Sequence, residues 1–554
     1  MSETYDVVVA GSGAAGLTAA LAAATSGART LVIESAGEIG GTSALGGGRV
    51  WLPANGTPEN AGDSDELANR YLDQIFDTRY EAMIRTFVRE ARVMAAFVEK
   101  HSPHRFVVCP NYPDYHQDRA GATRGGRCFD VAPVDLRELV PEARAVRQPP
   151  GYSPITHAEW EKWRYPAGMD RELLADRMEQ GIRTGGVGLV AALLDGVVRA
   201  GATVRTGTAL LGVLTGDGSG KGDGLGKDDG SGEGEGDGIV TGVRVRDGAV
   251  TGVRVRDGDG ERIIRASSVV LATGAFDATD ELRHRLLPAG LGVSASAPSD
   301  TGIALTVADD LGLPVDNLSE GWWMPMARPE GDLVDGRPYP RGLVRERGVP
   351  RQIVVNRQGR RFVDEAAPYN EFGKAMHRLE PGDEAYLIFD EGFRERYPLP
   401  GLTPDGPLPG HIVTGADLAT LAARIGVDPD GLAATVERWN GFCAEGVDHD
   451  FQRGANAYDD YYGDPWQEGN RCLGPIDRPP YYAMRVYSGV IGSKGGPVTD
   501  TAGRALTREA TPLPGLYAVG NAAAFWTRDG YPGPGATLAV GMTFGYLAGL
   551  DAAR

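Results

Sequence analysis

Three glycines near the start of the chain have a spacing that indicates nucleotide chemistry. Gly11, Gly13 and Gly16 form GxGxxG directly after the apolar run VVVA. Glycines in such a turn let backbone N–H groups approach a pyrophosphate, and the N-terminus of the helix that follows stabilises its negative charge. Glu34 comes 18 residues after Gly16, where a carboxylate can accept hydrogen bonds from an adenosine ribose and disfavours a 2′-phosphate. We therefore predict a dinucleotide site.

The elements around these residues are predicted to form one βαβ unit. Residues 5–34 contain an apolar strand, the glycine turn, an Ala-rich helix that stops at Gly27, and a second apolar strand. A second turn of small residues, Gly40-Gly41-Thr42-Ser43, follows the acidic strand, and LATG at 271–274 and GN at 520–521 follow later apolar runs. A nicotinamide domain alone would not need these turns, so we expect the dinucleotide to be FAD.

The composition excludes several other classes of protein. The chain has 554 residues, of which 42% are hydrophobic, and its formal net charge of -19 would repel nucleic acid. The four cysteines form no CxxC pair and no zinc spacing, which predicts neither disulfides nor a metal site. No window has the roughly 18 apolar residues of a membrane span, and the apolar stretch 7–24 has no basic residue before it. We expect a soluble protein in the reducing environment of the cytoplasm.

Other segments predict organisation rather than chemistry. An amphipathic helical stretch is expected at about 66–100 and a helix at 188–200. The segment 216–238 alternates Gly with charged residues and has nothing to bury, so we predict a mobile surface loop, with a role in partner binding as the alternative. The sequence VTGVRVRDG occurs at 240–248 and again at 250–258, which indicates a duplicated hairpin strand.

Longer motifs resemble a known family. The segments EIGGTSALGGGRVWLP, VVLATGAF, GLYAVGNAAA and PGATLAVGMTFGYLAG stand in the order found in flavoproteins of the fumarate reductase and 3-ketosteroid dehydrogenase type. The resemblance implies an α/β fold with a Rossmann-like, glutathione-reductase-type FAD domain that is discontinuous, at 1–319 and 479–554, and an inserted α+β catalytic domain at 320–478. The FAD contacts expected from the motifs and the resemblance are Gly11, Ser12, Gly13, Ala14, Ala15, Gly16, Glu34, Ser35, Gly41, Thr42, Ser43, Gly47, Gly48, Leu210, Ala272, Thr273, Gly274, Gly520, Asn521, Gly535, Thr537 and Leu538.

One departure disfavours the fumarate reductases within this superfamily. Those enzymes hold the substrate carboxylate with a histidine shortly before a Gly-Gly pair. The matching stretch here is VIGSKGGPVTD, with Ile491 and Gly492 and no histidine. A ketone substrate is therefore favoured over a dicarboxylate.

The segment YPGPG at 531–535 resembles the ketone-binding turn of 3-ketosteroid Δ1-dehydrogenases. In that family the Tyr hydroxyl and the second Gly N–H bind the carbonyl oxygen of ring A, which assigns these roles to Tyr531 and Gly535. Removing a proton beside a ketone puts negative charge on the oxygen, and preorganised donors of this kind stabilise it.

Two further tyrosines match the same family. RRFVDEAAPYNEFGKAM resembles the family's RFxNExxPYxxF stretch, which makes Tyr369 the residue that removes the proton, with Asp364 where the family commonly has Asn. Tyr115, in NYPDYHQD, matches the tyrosine that hydrogen-bonds it, and Tyr112 is its rival. A phenol with a pKa near 10 is a poor base at neutral pH, so it needs hydrogen bonds or positive charge around it.

The resemblance therefore implies an FAD-dependent 3-oxosteroid 1-dehydrogenase or a close relative. Tyr531 and Gly535 would polarise the ketone, Tyr369 assisted by Tyr115 would take the α-proton, and the β-hydrogen would leave as hydride to flavin N5. The expected partners are a steroid or cyclic ketone and an external electron acceptor that the sequence does not identify.

Two alternatives stay open. Bulky or charged residues before the turn and in GWWMPM predict a pocket of different shape; they are Phe525, Trp526, Arg528, Asp529, Trp322 and Trp323. The chain would then be a desaturase or enone reductase acting elsewhere on a steroid or on a smaller oxo-ring such as an oxocyclohexane carboxylate, whose acid Arg528 could hold. A flavin-binding protein without catalysis is disfavoured by the intact tyrosines.

Overall fold

A computed structural model describes residues 3–163, 169–216, 248–380, 382–404 and 406–554. The glycine-rich segment predicted to be a mobile loop lies outside the described residues from 217 onward. The first copy of the repeat, up to residue 247, also lies outside them. The second copy forms most of the strand Ala249–Asp257, which pairs antiparallel with Gly260–Leu271 as a hairpin.

The larger sheet brings the nucleotide motifs to one edge. Within the described ranges it has eight strands, Thr4–Ala10, Thr30–Ile33, Thr203–Arg205, Ala209–Gly216, Ala249–Asp257, Gly260–Leu271, Arg504–Leu506 and Pro512–Ala518. The strand Thr4–Ala10 is central and pairs parallel with Thr30–Ile33 and with Gly260–Leu271, which pairs parallel with Pro512–Ala518. These strands are apolar because both faces of a parallel sheet are covered. Their carboxyl ends meet at a single edge, where a ligand is expected.

Small residues allow the first and last helices to pack closely over this sheet. The helix Ala14–Thr25 contacts Ala536–Ala552 through glycine and alanine. A Cβ on Gly545 would lie 2.4 Å from the carbonyl oxygen of Ala15, and one on Gly549 would lie 2.2 Å from that of Ala19. Any side chain at these glycines would push the helices apart, so the C-terminal helix is fixed against the glycine turn at the start of the chain.

A second sheet lies in the middle of the chain. Its strands are Val293–Ser294, Gly321–Ala327, Arg341–Gly342, Gln352–Val355, Ala385–Asp390, Ile412–Gly415 and Tyr481–Ser493. The long strand Tyr481–Ser493 pairs with four of the others. It lies just outside the insert predicted at 320–478, as does Val293–Ser294. The division into domains at those positions stays a prediction.

The helices agree with the predicted periodicity. The described helices are Ala14–Thr25, Gly41–Leu45, Asp65–Asp73, Glu81–His101, His157–Trp163, Arg171–Gln180, Gly185–Arg199, Asp280–Leu286, Ile303–Asp310, Tyr369–Met376, Glu391–Arg394, Leu418–Ile425, Pro429–Glu445, Ala457–Tyr462 and Ala536–Ala552. The stretch predicted at 66–100 is two helices, and the helix predicted at 188–200 begins three residues earlier, at Gly185. The predicted α/β fold class is confirmed.

Short strands complete the structure. Val50–Trp51, Cys128–Val131 and Phe106–Val108 form a small antiparallel sheet. Two-residue pairs join Val134–Asp135 to Ile182–Arg183, Val315–Asp316 to Gly496–Pro497, and Leu333–Val334 to Arg337–Pro338. In the part of the chain that the structure describes, no helix has both the length and the apolar character needed to cross a bilayer. The expected cytoplasmic location stays a prediction.

Candidate active site

A cavity of about 820 Å³ begins at the carboxyl edge of the larger sheet and continues to residues of the second sheet. Of the predicted FAD contacts, Ala14 and Gly16 do not line this cavity, and all the others do. The Ala14 amide donates to Ser43 Oγ at 3.0 Å. A Cβ on Gly16 would lie 2.2 Å from the Gly11 carbonyl oxygen. These two residues therefore hold the turn together rather than face the cavity.

Glu34, the residue predicted to bind a ribose, lines the cavity. It follows the strand Thr30–Ile33 and is buried, and Ser12 donates to its Oε2 from both Oγ, at 2.6 Å, and the backbone N–H, at 3.1 Å. The Ala36 N–H donates to Oε1 at 2.9 Å. Ser35 Oγ also donates to Oε1, at 3.3 Å, so the carboxylate is oriented by the glycine turn and by the residues that follow it.

The residues present fit a bound FAD. Thr273 lines the cavity, and its buried Oγ1 has no hydrogen-bond partner among the described residues. Buried hydroxyls are normally hydrogen-bonded, so an unpaired one in a cavity wall indicates that a ligand atom belongs there. Gly41 also lines the cavity, and a Cβ on it would meet no atom within 4 Å. The open space at Gly41 leaves backbone accessible to a ligand.

Asp300 is a cavity residue that the sequence analysis missed. Thr42 Oγ1 donates to its Oδ2 at 2.8 Å, and the Ala275 N–H donates at 3.3 Å. Burial raises the pKa of Asp300 to about 8, with Asp277 and Glu34 adding to the effect. The carboxyl group is therefore largely protonated at neutral pH and can donate a hydrogen bond into the cavity. The local sequence around Asp300, SDTG, lacks the glycine spacing that identified the other turns.

The three predicted catalytic tyrosines lie together at the far end of the cavity. Ring centroids are 5.4 Å apart for Tyr115 and Tyr369, 5.1 Å for Tyr115 and Tyr531, and 5.5 Å for Tyr369 and Tyr531, all edge to face. All three are buried and line the cavity. Three motifs that are more than 150 residues apart in the sequence therefore meet at one point.

Tyr115 is held to the YPGPG turn at 531–535 by the contacts of its own loop. Its backbone N–H donates to the Pro532 carbonyl at 3.1 Å. The preceding Asp114 accepts from Trp51 Nε1 at 2.7 Å and forms a buried ion pair with Arg127 at 2.7 Å. Tyr112, the rival for the role of Tyr115, hydrogen-bonds to Tyr462 instead. The geometry therefore places Tyr115, and not Tyr112, against Tyr369.

Tyr369 begins the helix Tyr369–Met376, and the next residue ties that helix to the turn before Tyr531. Asn370 Nδ2 donates to the Asp529 carbonyl at 3.1 Å, and Asn370 Oδ1 accepts from the Trp323 N–H at 3.2 Å. The Asn370 side chain therefore helps to fix the distance between Tyr369 and Tyr531, in addition to the packing of the two rings.

The Tyr531 hydroxyl has its proton free for a substrate oxygen. Thr537 Oγ1 donates to the Tyr531 hydroxyl at 3.1 Å, so this hydroxyl can donate its own proton elsewhere. Burial raises the pKa of Tyr531, and the Thr537 hydroxyl and the Gly535 N–H oppose the rise. Gly535 adopts φ +93°, and a Cβ there would lie 2.5 Å from the Arg49 carbonyl carbon. Only glycine fits at 535, and its amide lies beside the Tyr531 hydroxyl.

Burial also dominates the other two phenols. It raises the pKa of Tyr369 well above its ordinary value, and Tyr531 adds to the rise while the Tyr115 hydroxyl opposes it. Burial likewise raises the pKa of Tyr115. Apart from Tyr369, the Tyr115 hydroxyl has no hydrogen-bond partner in the described parts of the chain.

Lys494 supports the turn from behind and was not identified from the sequence. It is fully buried, and its Nζ donates to the carbonyls of Arg528 and Gly530, at 2.5 and 2.8 Å. Burial lowers its pKa well below the ordinary value. The same Nζ lies 3.8 Å from the ring centroid of Trp322, whose ring packs against Tyr531 at 4.6 Å.

The bulky and charged residues predicted to alter the pocket do not line this cavity. Trp322 and Phe525 pack on each other behind Tyr531, and Trp526 packs on Phe76. Trp323 packs on His377. Asp529 Oδ2 lies 3.3 Å from Lys374 Nζ, and Arg528 Nη1 lies 3.7 Å from Asp316. These side chains pack or pair outside the cavity, and Arg528 is not placed to hold an acid bound in it.

Comparisons with known proteins extend over the whole chain. A family model described as FAD binding domain matches residues 6–538. The 3-oxosteroid 1-dehydrogenase of Mycolicibacterium smegmatis is 35% identical over 100% of this chain and 97% of its own length. The 4-oxocyclohexanecarboxylate 2-dehydrogenase of Sinomonas cyclohexanicum is 37% identical over 99% of this chain and 92% of its own length.

A solved structure gives the same result. The 3-ketosteroid delta1-dehydrogenase from Sterolibacterium denitrificans, in complex with 1,4-androstadiene-3,17-dione, is similar to this chain with a TM-score of 0.88 and 32% identity, and the match covers 100% of both chains. The similarity therefore includes both sheets and is not limited to the nucleotide motif at the start of the chain.

Proposed function

This chain belongs to the FAD-binding family that includes the 3-oxosteroid 1-dehydrogenases and is an FAD-dependent oxidoreductase, and on that premise we propose its reaction. The enzyme removes two hydrogens from the carbon–carbon bond next to the carbonyl of a 3-oxosteroid or similar cyclic ketone, and the product is the α,β-unsaturated ketone. The observation that carries this proposal is the contact of Tyr115, Tyr369 and Tyr531 at the end of the cofactor cavity.

Tyr531 and Gly535 bind the carbonyl oxygen. The Tyr531 hydroxyl receives a hydrogen bond from Thr537, which directs its own proton to the substrate. In a dry site, each such donor stabilises developing negative charge by roughly 3–4 kcal/mol. The ketone is thereby made acidic at the neighbouring carbon.

Tyr369 takes the α-proton on its hydroxyl oxygen. Because burial raises the pKa of Tyr369, a free phenolate is disfavoured at rest. As the substrate proton arrives, the phenol proton of Tyr369 passes to the Tyr115 oxygen and Tyr115 releases its own proton to solvent, so one proton leaves for the one taken up. Bound FAD would supply the two-electron acceptor for the β-hydride, and the residues at the glycine turn and around Thr273 would hold it. Proton and hydride together would account for the two hydrogens lost from the ring. The buried tyrosines exclude water from the enolate until that second bond is broken.

An anaerobic half-reaction tests the proposal. The purified yellow protein is mixed with 4-androstene-3,17-dione, the long-wavelength flavin absorbance is followed, and the product is identified by mass. We expect bleaching and a product that is two hydrogens lighter. An unbleached flavin with this steroid and with smaller cyclic ketones would exclude a dehydrogenase of ring ketones.

A second candidate is a smaller oxo-ring that carries a carboxylate. The relative from Sinomonas cyclohexanicum, which is 37% identical, is named for such a substrate. The reverse direction, saturation of an enone, uses the same residues and is tested by mixing the reduced protein with the unsaturated ketone.

A further inference from the structure

Arg49 places a positive charge in the wall of the cavity. It lies between the glycine turn at 46–48 and the strand Val50–Trp51, and its half-buried side chain lines the cavity. Its Nε and Nη2 lie 3.2 and 2.9 Å from a single acceptor, His157 Nδ1. Among the described residues, no carboxylate forms an ion pair with it. The guanidinium has five N–H donors, so this one acceptor leaves most of them without a partner.

The groups near Arg49 keep it protonated but leave most of its N–H donors unoccupied. Burial lowers the pKa of His157, and Arg49 lowers it further, so the imidazole is neutral and accepts through Nδ1. Its Nε2 faces the Tyr461 hydroxyl at 2.7 Å. Burial alone would lower the pKa of Arg49, but several nearby groups, Asp130 first among them, together raise the value. The Asp130 carboxylate accepts a hydrogen bond from the backbone N–H of His157 at 2.6 Å.

Arg49 is adjacent to the ketone-binding pair. A Cβ on Gly535 would lie 2.5 Å from both the carbonyl carbon and the carbonyl oxygen of Arg49, so the two backbones are in contact. The guanidinium also lies 6.0 Å from the ring centroid of Tyr112, on the cavity wall that includes Tyr115. Because the two backbones touch, the Arg49 guanidinium lies no farther from Gly535 than the length of one arginine side chain.

We propose that Arg49 is an anion subsite of the active site and selects ring ketones that carry a carboxylate. A guanidinium in a cavity wall with unpaired N–H donors can bind a carboxylate that enters the cavity, because hydrogen bonds between two charged groups are the strong ones. Arginine binds carboxylate by two parallel hydrogen bonds, which would also fix the orientation of the ring above Tyr369. This inference rests on the proposed function, since it assigns the substrate class of the same site. The carboxylate is unchanged in the reaction.

The test compares an acid with its neutral ester on the holoenzyme. Initial rates are measured with 4-oxocyclohexanecarboxylate, its methyl ester and 4-androstene-3,17-dione, with an artificial dye as electron acceptor. We expect the acid to be the best substrate. Changing Arg49→Met should raise the KM for the acid by about 10- to 100-fold, in line with loss of a charged hydrogen bond, and should leave the KM for the ester within about twofold. Arg49→Lys should restore part of the affinity.

The matched control is Arg341→Met. Arg341 lines the same cavity but is paired with Asp332 at 2.6 Å, so this variant should not separate the acid from the ester. FAD content is measured in every variant by absorbance.

Several results would overturn the subsite. One is that Arg49→Met affects acid and ester equally, and another is that it releases FAD. If Arg49→Met does not fold, equal KM values for acid and ester in the unchanged enzyme overturn it. Turnover of the steroid without turnover of the acid overturns the subsite and leaves the proposed function standing. No flavin reduction by any of the three compounds would instead refute the proposed function itself.

Discussion

Tyr369 lies in an environment that makes its phenol a weaker acid than a phenol in water. Burial raises its pKa, Tyr531 adds to the rise, and only the Tyr115 hydroxyl opposes it. Tyr369 must accept a proton in the reaction, yet it is itself protonated across the neutral pH range. The base has to be assisted by Tyr115 during the reaction, since the protein does not ionise it beforehand.

We expect Tyr369→Phe to abolish turnover, by about 10³-fold or more, while the protein keeps its FAD. In the unchanged enzyme the rate should rise with pH from 7 toward 10, because the phenolate of a group with a raised pKa becomes populated only at high pH. Steady-state rates over this range, with FAD content measured in parallel, check both statements.

Tyr386→Phe is a suitable control for that experiment, since Tyr386 bonds to Glu384 on the second sheet and does not line the cavity. A near-normal rate in Tyr369→Phe, or a pH profile that falls over the same range, would place the base elsewhere.

Tyr531 has a different task, which is to donate rather than accept a proton. Its hydroxyl receives a hydrogen bond from Thr537, and the Gly535 amide lies beside it. We expect Tyr531→Phe to lower kcat by about 10²- to 10³-fold, as when other oxyanion donors are removed. Because the Gly535 amide remains, some activity should survive. Single-turnover flavin reduction measures the step directly, and an unchanged rate constant would separate the turn from catalysis.

At the scale of elements, the end of the strand Tyr481–Ser493 supports the turn that carries Tyr531. Lys494, directly after that strand, donates to two carbonyls of the turn and lies against Trp322, which packs on Tyr531. Removing the amine would leave two buried carbonyls without a donor, at a cost of about 1–3 kcal/mol each. The turn would move to relieve that cost, and Tyr531 would move with it.

We expect Lys494→Met to lower kcat by at least about tenfold and to have little additional effect in a protein that already carries Tyr531→Phe. When one residue acts through another, the effects of their two mutations on kcat do not add. A double-mutant cycle on kcat measures the coupling, with the exposed Lys100→Met as control. Additive effects would mean that Lys494 only stabilises the fold.

Elements that contain their own signal could be predicted from the sequence. The glycine turn after Thr4–Ala10, the acid after Thr30–Ile33 and the ATG after Gly260–Leu271 are each read within a few residues, and parallel strands bring their ends together. Lys494, Asp300 and Arg49 carry no such local pattern. Their roles depend on what packs against them from distant parts of the chain, which spacing alone does not encode.

At the scale of the whole molecule, the same limit applies to the pocket. Bulky residues near the catalytic turn suggested an altered pocket, but Trp322 and Phe525 pack behind the turn. Whether a large side chain fills a cavity or supports its wall is decided by the direction of a strand and a turn relative to the second sheet. The sequence predicts the presence of both elements but not that direction.

FAD should also stabilise the whole molecule, because its cavity joins segments from both ends of the chain. The walls include Gly11, Glu34, Thr273, Asn521 and Leu538. A ligand that binds only the folded state adds about 2.7 kcal/mol at one hundred times its Kd. We expect the protein without FAD to unfold at a temperature several degrees lower and to recover as FAD is added, which thermal denaturation measures. FMN, which lacks the adenosine, should restore less, and Glu34→Gln should weaken the response to FAD more than the response to FMN. Equal recovery of the unfolding temperature with FAD and FMN would mean that the adenosine part, and with it the Glu34 carboxylate, contributes nothing to binding.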